Sequence, residues 1–190
     1  MDLAAWDEEY RKKAATEAES EFVPTPLLVE AVRDLRPGRA LDLACGTGRN
    51  ALWLAQHSWN VTAIEGSVAA VETLRSRAAS SSVNIDAQVA DLEEIGFTIA
   101  PASYDLIAMC YYFERKLIEP CKRGLAPGGL MIVIALLMEP GKELSTFRLQ
   151  PGELRGYFAN WDILHYREAT DAWQHNVAEL IARRRACELS

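Results

Sequence analysis

The segment Leu41-Asp-Leu-Ala-Cys-Gly-Thr-Gly-Arg-Asn50 is the most informative part of this chain, because it joins an apolar strand to a turn of small residues and then to a helix start. Gly46 and Gly48 have no Cβ, so the backbone can turn sharply there and bring its N–H groups against a bound molecule. The N-terminus of the following helix favours an anionic ligand group. The segment therefore predicts a ligand site at the end of a buried strand.

A second strand with a terminal carboxylate follows this turn. Val61-Thr-Ala-Ile-Glu65 is apolar and ends in an acid, about 20 residues on, where a doubly wound nucleotide-binding fold places the acid that binds a ribose. Strand, glycine turn, helix, strand and acid together predict a site for an adenosine-containing cofactor.

Strands alternate with helices along the rest of the chain. Strands are predicted over 40–44, 61–65, 83–90, 104–110, 130–137 and 161–167, and helices over 3–14, 26–36, 49–58, 67–80, 113–125 and 151–158, with Pro127-Gly128-Gly129 as a turn. The last segment, 173–184, fits a helix as well as a strand, and we interpret it as a strand. This order favours an α/β fold, doubly wound and Rossmann-like, with a mainly parallel seven-stranded sheet and an antiparallel C-terminal strand. We expect one domain over 1–190, in which 1–36 form an N-terminal helical cap and 37–190 the catalytic core.

Composition restricts the possible partners. The formal charge of -7 and the pI near 5.1 argue against a protein that binds nucleic acid, which requires clustered Lys and Arg. Arg183-Arg184-Arg185 is the one basic run, and we interpret it as a solvated strand end. We expect a small-molecule partner and a monomer or homodimer.

The compartment and the absence of a metal are also predicted. Cys45, Cys110, Cys121 and Cys187 are far apart, without the spacing of a zinc site or a disulfide framework, so no metal is expected. The first nine residues are acidic where a signal peptide would be basic, and the longest apolar run, 130–138, is too short to span a bilayer. We therefore expect no membrane association and a cytoplasmic location.

The chain resembles the class I S-adenosylmethionine-dependent methyltransferases. The resemblance covers almost the whole chain and is carried, in the family's order, by Asp42-Leu-Ala-Cys-Gly-Thr-Gly48, Glu65, Asp91-Leu92 and Pro127-Gly-Gly129. More narrowly, Gly46 to Asn50, Leu149 to Tyr157, Trp161 to Tyr166 and Ala182-Arg-Arg look like the tellurite-resistance (TehB-type) branch. The connection between Glu168 and Trp173 departs from that branch, because it is short.

The resemblance implies S-adenosyl-L-methionine as cofactor, with S-adenosyl-L-homocysteine as product, and assigns residues to its methionine end. Gly46 and Gly48 would lie against this end, Asp42 would hold the turn and the ammonium group, and Arg49 and Asn50 would orient the carboxylate. Ala44 stands where many relatives have glycine, and its small side chain is compatible with binding.

The resemblance also assigns the adenosine end and the reacting end. Glu65 would accept both ribose hydroxyls, Gly66 would approach the adenine edge, and Asp91 and Leu92 would bind the adenine amino group and ring. Cys110 would border the sulfonium, together with Tyr111.

In the reaction that the resemblance implies, the main task of the protein is to position the reactants. Methyl transfer is an in-line displacement, so the protein mainly holds the nucleophile, methyl and sulfur collinear. A soft acceptor such as a thiolate or a selenium or tellurium oxyanion needs no base, whereas oxygen or nitrogen acceptors can need one. Tyr111 and Arg115 are the catalytic candidates, and Tyr112 and His165 are further candidates for a base.

Two segments are candidates for covering the site. Trp6 and Tyr10 share one helix face, and with Tyr111 they either form part of a lid and acceptor site or simply pack the helix onto the body. Residues 138–148 resemble a flexible loop that orders with substrate.

Two other classes of protein remain as alternatives. A nicotinamide oxidoreductase also joins a glycine turn to a later acid, but the spacing G-x-G-x-x-G is missing here. A protein that binds the cofactor without catalysis, as a partner subunit or sensor, would keep the same pocket residues.

Overall fold

The computed structural model describes residues 3–14, 23–139 and 147–186, and their contacts divide the chain into two compact units, 1–97 and 98–190. The first unit contains α1 (Leu3–Ala14), α2 (Pro26–Val32), β1 (Arg39–Leu43), α3 (Arg49–Gln56), β2 (Asn60–Glu65), α4 (Val68–Ser80) and β3 (Ile85–Val89). The second contains β4 (Tyr104–Cys110), α5 (Ile118–Gly124), β5 (Leu125–Leu136), α6 (Glu153–Tyr157), β6 (Asp162–Thr170) and β7 (Asn176–Arg183).

The first unit is built on three parallel strands. β2 pairs with β1 on one side and with β3 on the other, and Leu43 is opposite Ile64 while Glu65 is opposite Val89. β1 is buried over four of its five residues, as expected for a parallel strand covered on both faces. Because the strands are parallel, β1 and β2 end at the same edge, where the glycine turn follows β1 and Glu65 ends β2.

Local capping fixes where α4 begins. Ser67 has extended backbone angles, and its hydroxyl accepts the backbone N–H of Ala70 at 3.2 Å. This is the bond expected of an N-cap serine, so the predicted start of this helix is confirmed. Thr25 occupies the same position before α2, but its side chain makes no capping bond to that helix.

The second unit contains the antiparallel part of the fold. β4 and β5 are parallel, whereas β7 is antiparallel to both β5 and β6. β7 is buried over six of its eight residues, which explains why its apolar run fitted a helix as well as a strand. The predicted α/β Rossmann-like class, with seven strands, mainly parallel pairing and an antiparallel C-terminal strand, is confirmed.

The Pro127-Gly128-Gly129 segment corrects one prediction. It lies inside β5, which begins at Leu125, and the pairing register with β4 shifts between Tyr104 and Leu106. Gly128 takes φ +82° and donates its N–H to the carbonyl of Arg184 at 2.9 Å. The segment is therefore an irregularity within a strand rather than a turn before one.

Two helices differ most from their predicted bounds. α2 ends at Val32 rather than continuing to residue 36. The helix predicted from Phe113 is a short 3-10 turn, Arg115–Leu117, followed by α5, because the Glu114 side chain accepts the backbone N–H of Lys116 at 3.0 Å and caps the chain there. No helix in the described ranges is both long and apolar enough to cross a membrane.

Candidate functional site

The turn after β1 uses left-handed backbone at three positions. Ala44, Gly46 and Gly48 have φ values of +52°, +54° and +89°. A Cβ added to Gly48 would lie 2.2 Å from Cδ1 of Leu74, so this position requires glycine for space as well as for conformation. The turn is also tied to its surroundings, because the backbone N–H of Cys45 donates to the carbonyl of Ile64 at 3.1 Å.

Glu65 bonds directly to this turn. Its Oε2 accepts the backbone N–H of Gly46 at 3.0 Å, and its Oε1 accepts the backbone N–H of Ser67 at 3.0 Å. The side chain is buried, with 9% of the residue exposed. Each carboxylate oxygen has a second lone pair, so Glu65 can hold the turn and still accept a ligand hydroxyl on each oxygen.

Asp42 carries a buried oxygen that has no protein partner. The residue is 2% exposed, and its Oδ2 accepts no hydrogen bond from any described residue. Burial raises the pKa of Asp42 to about 7, against the opposing effect of the Arg49 charge and a backbone hydrogen bond from Ala51, while Glu65 raises it further. A cationic donor placed at Oδ2 would satisfy this atom.

Arg49 and Asn50 open α3 but differ in their surroundings. Arg49 lies close enough to Asp42 to lower the pKa of that carboxyl group. Asn50 is buried, and its Oδ1 accepts the backbone N–H of Thr25 at 2.9 Å. Asn50 therefore anchors the segment that leads into α2, a role that sequence reasoning missed because the two residues are far apart in the chain.

Asp91 and Leu92 follow β3 at the same edge. The backbone N–H of Ala90 donates to the carbonyl of Glu65 at 3.0 Å, which places the next residue beside the end of β2. Oδ1 of Asp91 accepts the backbone N–H of Glu93 at 2.8 Å, and Leu92 is buried. Asp91 thus shapes its own loop and leaves Oδ2 for another donor.

α1 lies over the two glycines of this region. A Cβ on Gly46 would be 2.9 Å from the Tyr10 hydroxyl, and a Cβ on Gly66 would be 2.5 Å from Cδ2 of Leu3. Trp6 is 40% exposed, with its ring centroid 6.1 Å from that of Tyr10. Tyr10 therefore contacts the turn directly, whereas Trp6 is at the surface.

In the second unit, Cys110 and Tyr111 lie at the carboxyl end of β4. Cys110 is half-buried. Tyr111 takes φ +63°, and its hydroxyl donates to Oδ2 of Asp171 at 3.0 Å. Positive φ is rare for a bulky residue, and such strain concentrates at functional sites.

The remaining catalytic candidates are engaged in other contacts. Arg115 donates from Nε and from a terminal nitrogen to the two carboxylate oxygens of Glu153, at 2.8 and 3.0 Å. His165 lies 3.2 Å from the carboxylate of Glu179, and the Tyr112 ring centroid lies 6.3 Å from that of Phe147. These three stay predictions as catalytic residues, and their contacts give each a structural role.

No set of three His, Cys, Asp or Glu residues in the described ranges is placed to hold a metal ion. Burial raises the pKa of Cys45 well above its usual value and that of Cys121 to about 12, so neither is a thiolate at neutral pH. Cys187 and residues 140–146 of the predicted flexible loop lie outside the described residues. Next to that loop, Leu137 and Leu149 form a parallel bridge.

A surface cleft in the second unit contains none of the predicted site residues. It has a volume of about 440 Å³ and is lined by Glu119, Lys122, Arg123, Gly156, Tyr157, Ala159, Asn160, Trp161 and Arg184. Lys122 in this cleft is paired with Glu119 at 2.7 Å, and the guanidinium of Arg184 bonds to backbone carbonyls. The cleft is therefore mainly a feature of packing between α5, α6 and the strands of its unit.

One family model matches most of the chain. A family model described as tellurite resistance protein TehB matches residues 6–180. Among curated proteins, "Hemagglutinin 1" of Eikenella corrodens is 29% identical over 150 residues, covering 74% of this chain and 49% of the relative. "Probable S-adenosyl-L-methionine-dependent methyltransferase TehB" of Haemophilus influenzae is 26% identical over 151 residues, covering 74% of this chain and 52% of the relative.

The crystal structure of TehB from Haemophilus influenzae has the same fold. The two share 23% identity with a TM-score of 0.75, over 94% of this chain and 67% of the other. This chain spans about half the length of the curated relatives it matches.

Proposed function

Because this chain belongs to the family of the tellurite resistance protein TehB, we propose that it is an S-adenosyl-L-methionine-dependent methyltransferase that acts on a small-molecule acceptor. One observation carries the proposal: the glycine turn and the acid that the sequence predicts to share a ligand are in direct contact, through the hydrogen bond from Gly46 to Glu65. The relative from Haemophilus influenzae, whose name states this activity, supports the assignment.

The residues of the first unit fit the methionine end of the cofactor. Asp42 offers a buried oxygen without a protein partner, which suits an ammonium group. The N-terminus of α3 and the side chain of Arg49 favour a carboxylate there. Gly46 and Gly48 supply the positive φ values that shape the turn around this end of the cofactor.

The adenosine end would lie at the ends of β2 and β3. Glu65 keeps one lone pair on each oxygen for a ribose hydroxyl. Gly66, Asp91 and Leu92 would frame the adenine, and Leu3 would have to move from its place over Gly66 to admit it. Cys110, at the end of β4, is our candidate for the residue beside the sulfur.

When bound, the cofactor supplies a methyl group activated by a positively charged sulfur. This chain's residues would bind and orient the donor and would align the acceptor with it. Thiolates and selenium or tellurium oxyanions are the acceptors that the family membership favours, since soft anionic nucleophiles react without a base, whereas a protonated thiol or phenol must lose a proton.

The test is titration calorimetry of the whole chain with S-adenosylmethionine and, separately, with NAD. A screen of thiols, phenols, small amines, selenite and tellurite then measures the formation of S-adenosylhomocysteine. We expect binding of the sulfonium donor and its turnover with at least one acceptor. Binding of NAD alone would overturn the proposal, and tight binding of the donor without turnover across the screen would favour a non-catalytic partner or sensor.

A further inference from the structure

A buried carboxylate in the second unit organises three functional groups. Asp171 is 8% exposed, and its Oδ1 accepts the backbone N–H groups of Trp173 and His175 at 2.9 and 2.8 Å. Its Oδ2 accepts the hydroxyl of Tyr111 at 3.0 Å and lies 3.6 Å from Nδ1 of His175. One carboxylate therefore bonds a tyrosine hydroxyl and the backbone of the hairpin, and it lies beside the imidazole that the hairpin carries.

Asp171 is held in its ionised form. Burial alone would raise the pKa of Asp171, but hydrogen bonds from the His175 backbone, the Tyr111 hydroxyl and the Trp173 backbone, with the His175 charge, together place it below the usual value. Asp171 and Tyr111 are titratable groups close to His175, at 3.6 Å from Nδ1 to Oδ2 and at 6.2 Å between the ring centroids. An ionised acceptor at Nδ1 favours the imidazole tautomer that has its proton on Nδ1, which leaves the Nε2 lone pair available.

The cluster lies at the edge of the unit where ligands of α/β folds bind. Tyr111 directly follows β4, and β5 ends nearby because it is parallel to β4. β7 is antiparallel to β5 and begins at Asn176, so the hairpin 171–175 lies at this same edge. Ligands of open α/β sheets bind outside the carboxyl ends of the strands.

The imidazole of His175 is exposed to solvent, whereas the carboxylate of Asp171 is buried. The His175 side chain is 53% exposed and that of Asp171 5%. The Tyr111 ring stands edge-on to Trp173, with a centroid distance of 5.5 Å, and its centroid is 6.2 Å from that of His175. An aromatic pair therefore lies beside an accessible base.

We propose that His175 is a catalytic base for a protic acceptor, a phenol or a thiol, with Asp171 as the residue that positions it. The inference rests on the proposed methyltransferase activity. Nε2 of His175 takes the proton from the acceptor O–H or S–H, and a lone pair of the acceptor atom forms the bond to the methyl carbon. The bond between that carbon and the sulfonium sulfur breaks, its electron pair stays on sulfur, and the proton on His175 is released to water.

The distance of 3.6 Å from His175 to Asp171 is longer than a hydrogen bond. Catalytic contacts in unliganded proteins are often long and tighten in the complex with substrate. Asp171 is already fixed by the hairpin backbone, so only the imidazole ring has to rotate.

The test compares His175→Ala with His57→Gln, an exposed histidine at the end of α3, in the whole chain. With phenol or para-cresol as acceptor, whose hydroxyl is protonated at neutral pH, we expect His175→Ala to lower kcat about 100-fold or more, the usual contribution of a general base. Added imidazole should restore part of the rate, and the affinity for S-adenosylmethionine should stay unchanged. Turnover of selenite or tellurite, which needs no base, should be unaffected.

A second readout does not depend on turnover. Para-nitrophenol bound to the protein in the absence of cofactor should show a stronger phenolate absorption band with wild type than with His175→Ala. Asp171→Asn and Tyr111→Phe should weaken the band less than His175→Ala does. Tyr111→Phe keeps the ring packing and provides a variant that should fold even if Asp171→Asn disturbs the hairpin.

The outcomes separate the two proposals. Failure of the wild type to bind S-adenosylmethionine overturns the proposed function. Wild-type binding and turnover of a protic acceptor, with His175→Ala retaining the full rate and no imidazole effect, overturns the base assignment and leaves the methyltransferase activity intact.

Discussion

Oδ1 of Asp7 accepts a hydrogen bond from the hydroxyl of Ser67 at 2.7 Å, and the same oxygen accepts the backbone N–H of Ala69 at 2.9 Å. Asp7 lies on α1, whereas Ser67 and Ala69 begin α4, so a carboxylate from one helix caps the N-terminus of another. The backbone N–H of Ser67 in turn donates to Glu65. The helix that covers Gly46 and Gly66 is thereby linked to the acid we assign to the ribose.

Asp7→Ala should release α1 from α4. The backbone hydrogen bond from Ala69 and the hydrogen bond from the Ser67 hydroxyl lower the pKa of Asp7. The stabilisation that Asp7 gives to the contact between α1 and α4 is therefore present above the ordinary carboxyl pKa and is lost as pH falls through the lowered pKa. The protection factors of the α1 amides, which correct for the intrinsic exchange rate at each pH, should therefore be lower in Asp7→Ala, and in wild type at acidic pH. Glu8→Ala, which removes an exposed acid on the same helix, is the control, and equal exchange in all three proteins would contradict the capping role.

Asp42→Asn should change how stability depends on pH. Burial raises the pKa of Asp42 to about 7 in the folded protein. The unfolded chain therefore loses this proton first, and the free energy of unfolding should fall as pH rises from about 4 to about 7, by roughly 2–4 kcal/mol from this group. Asparagine does not ionise, so urea unfolding of the variant should lose that part of the pH dependence.

The same variant also tests the proposed role of Asp42 toward the ammonium group. A bound cation favours the ionised form, so affinity of the wild type for S-adenosylmethionine should rise as pH approaches neutrality. Calorimetry should show weaker binding by Asp42→Asn at neutral pH and a flatter pH dependence. Parallel profiles for the two proteins would place the cofactor elsewhere.

Glu65→Ala should weaken binding of S-adenosylmethionine by roughly 1–3 kcal/mol, the scale of a lost hydrogen-bond partner that is charged. The variant also removes the acceptor of the Gly46 N–H, so part of the loss reflects a less ordered turn. Glu72→Ala, an exposed acid on α4, is the matched control. Affinity equal to that of the control would remove Glu65 from the site.

Features set by local sequence were predictable. The end of β2 at Glu65, the Ser67 cap and the bounds of β4 follow from residue types within a few positions of each feature. The glycine turn was also predictable, because Gly46 and Gly48 adopt positive φ without strain.

Features set by distant contacts were not predictable. Asn50 bonds to Thr25, and Tyr111 bonds to Asp171, sixty residues away. Asp171 begins the hairpin 171–175, and from the sequence alone an aspartate there indicates an ordinary turn. The irregular start of β5 also depends on pairing with β4, since Pro127-Gly128-Gly129 alone indicates a turn.

Ala44→Gly should stabilise the protein slightly. Ala44 has φ +52°, a conformation that costs an alanine roughly 1–2 kcal/mol relative to right-handed backbone. Glycine removes this strain but adds about 0.4–1 kcal/mol of entropy to the unfolded chain, so the net gain should be about 0.5–1 kcal/mol by urea unfolding. Ala79→Gly, at an exposed position within α4, should have the opposite sign and lose about 1 kcal/mol. A loss of similar size in both variants would mean that the turn after β1 relaxes around Ala44 in solution.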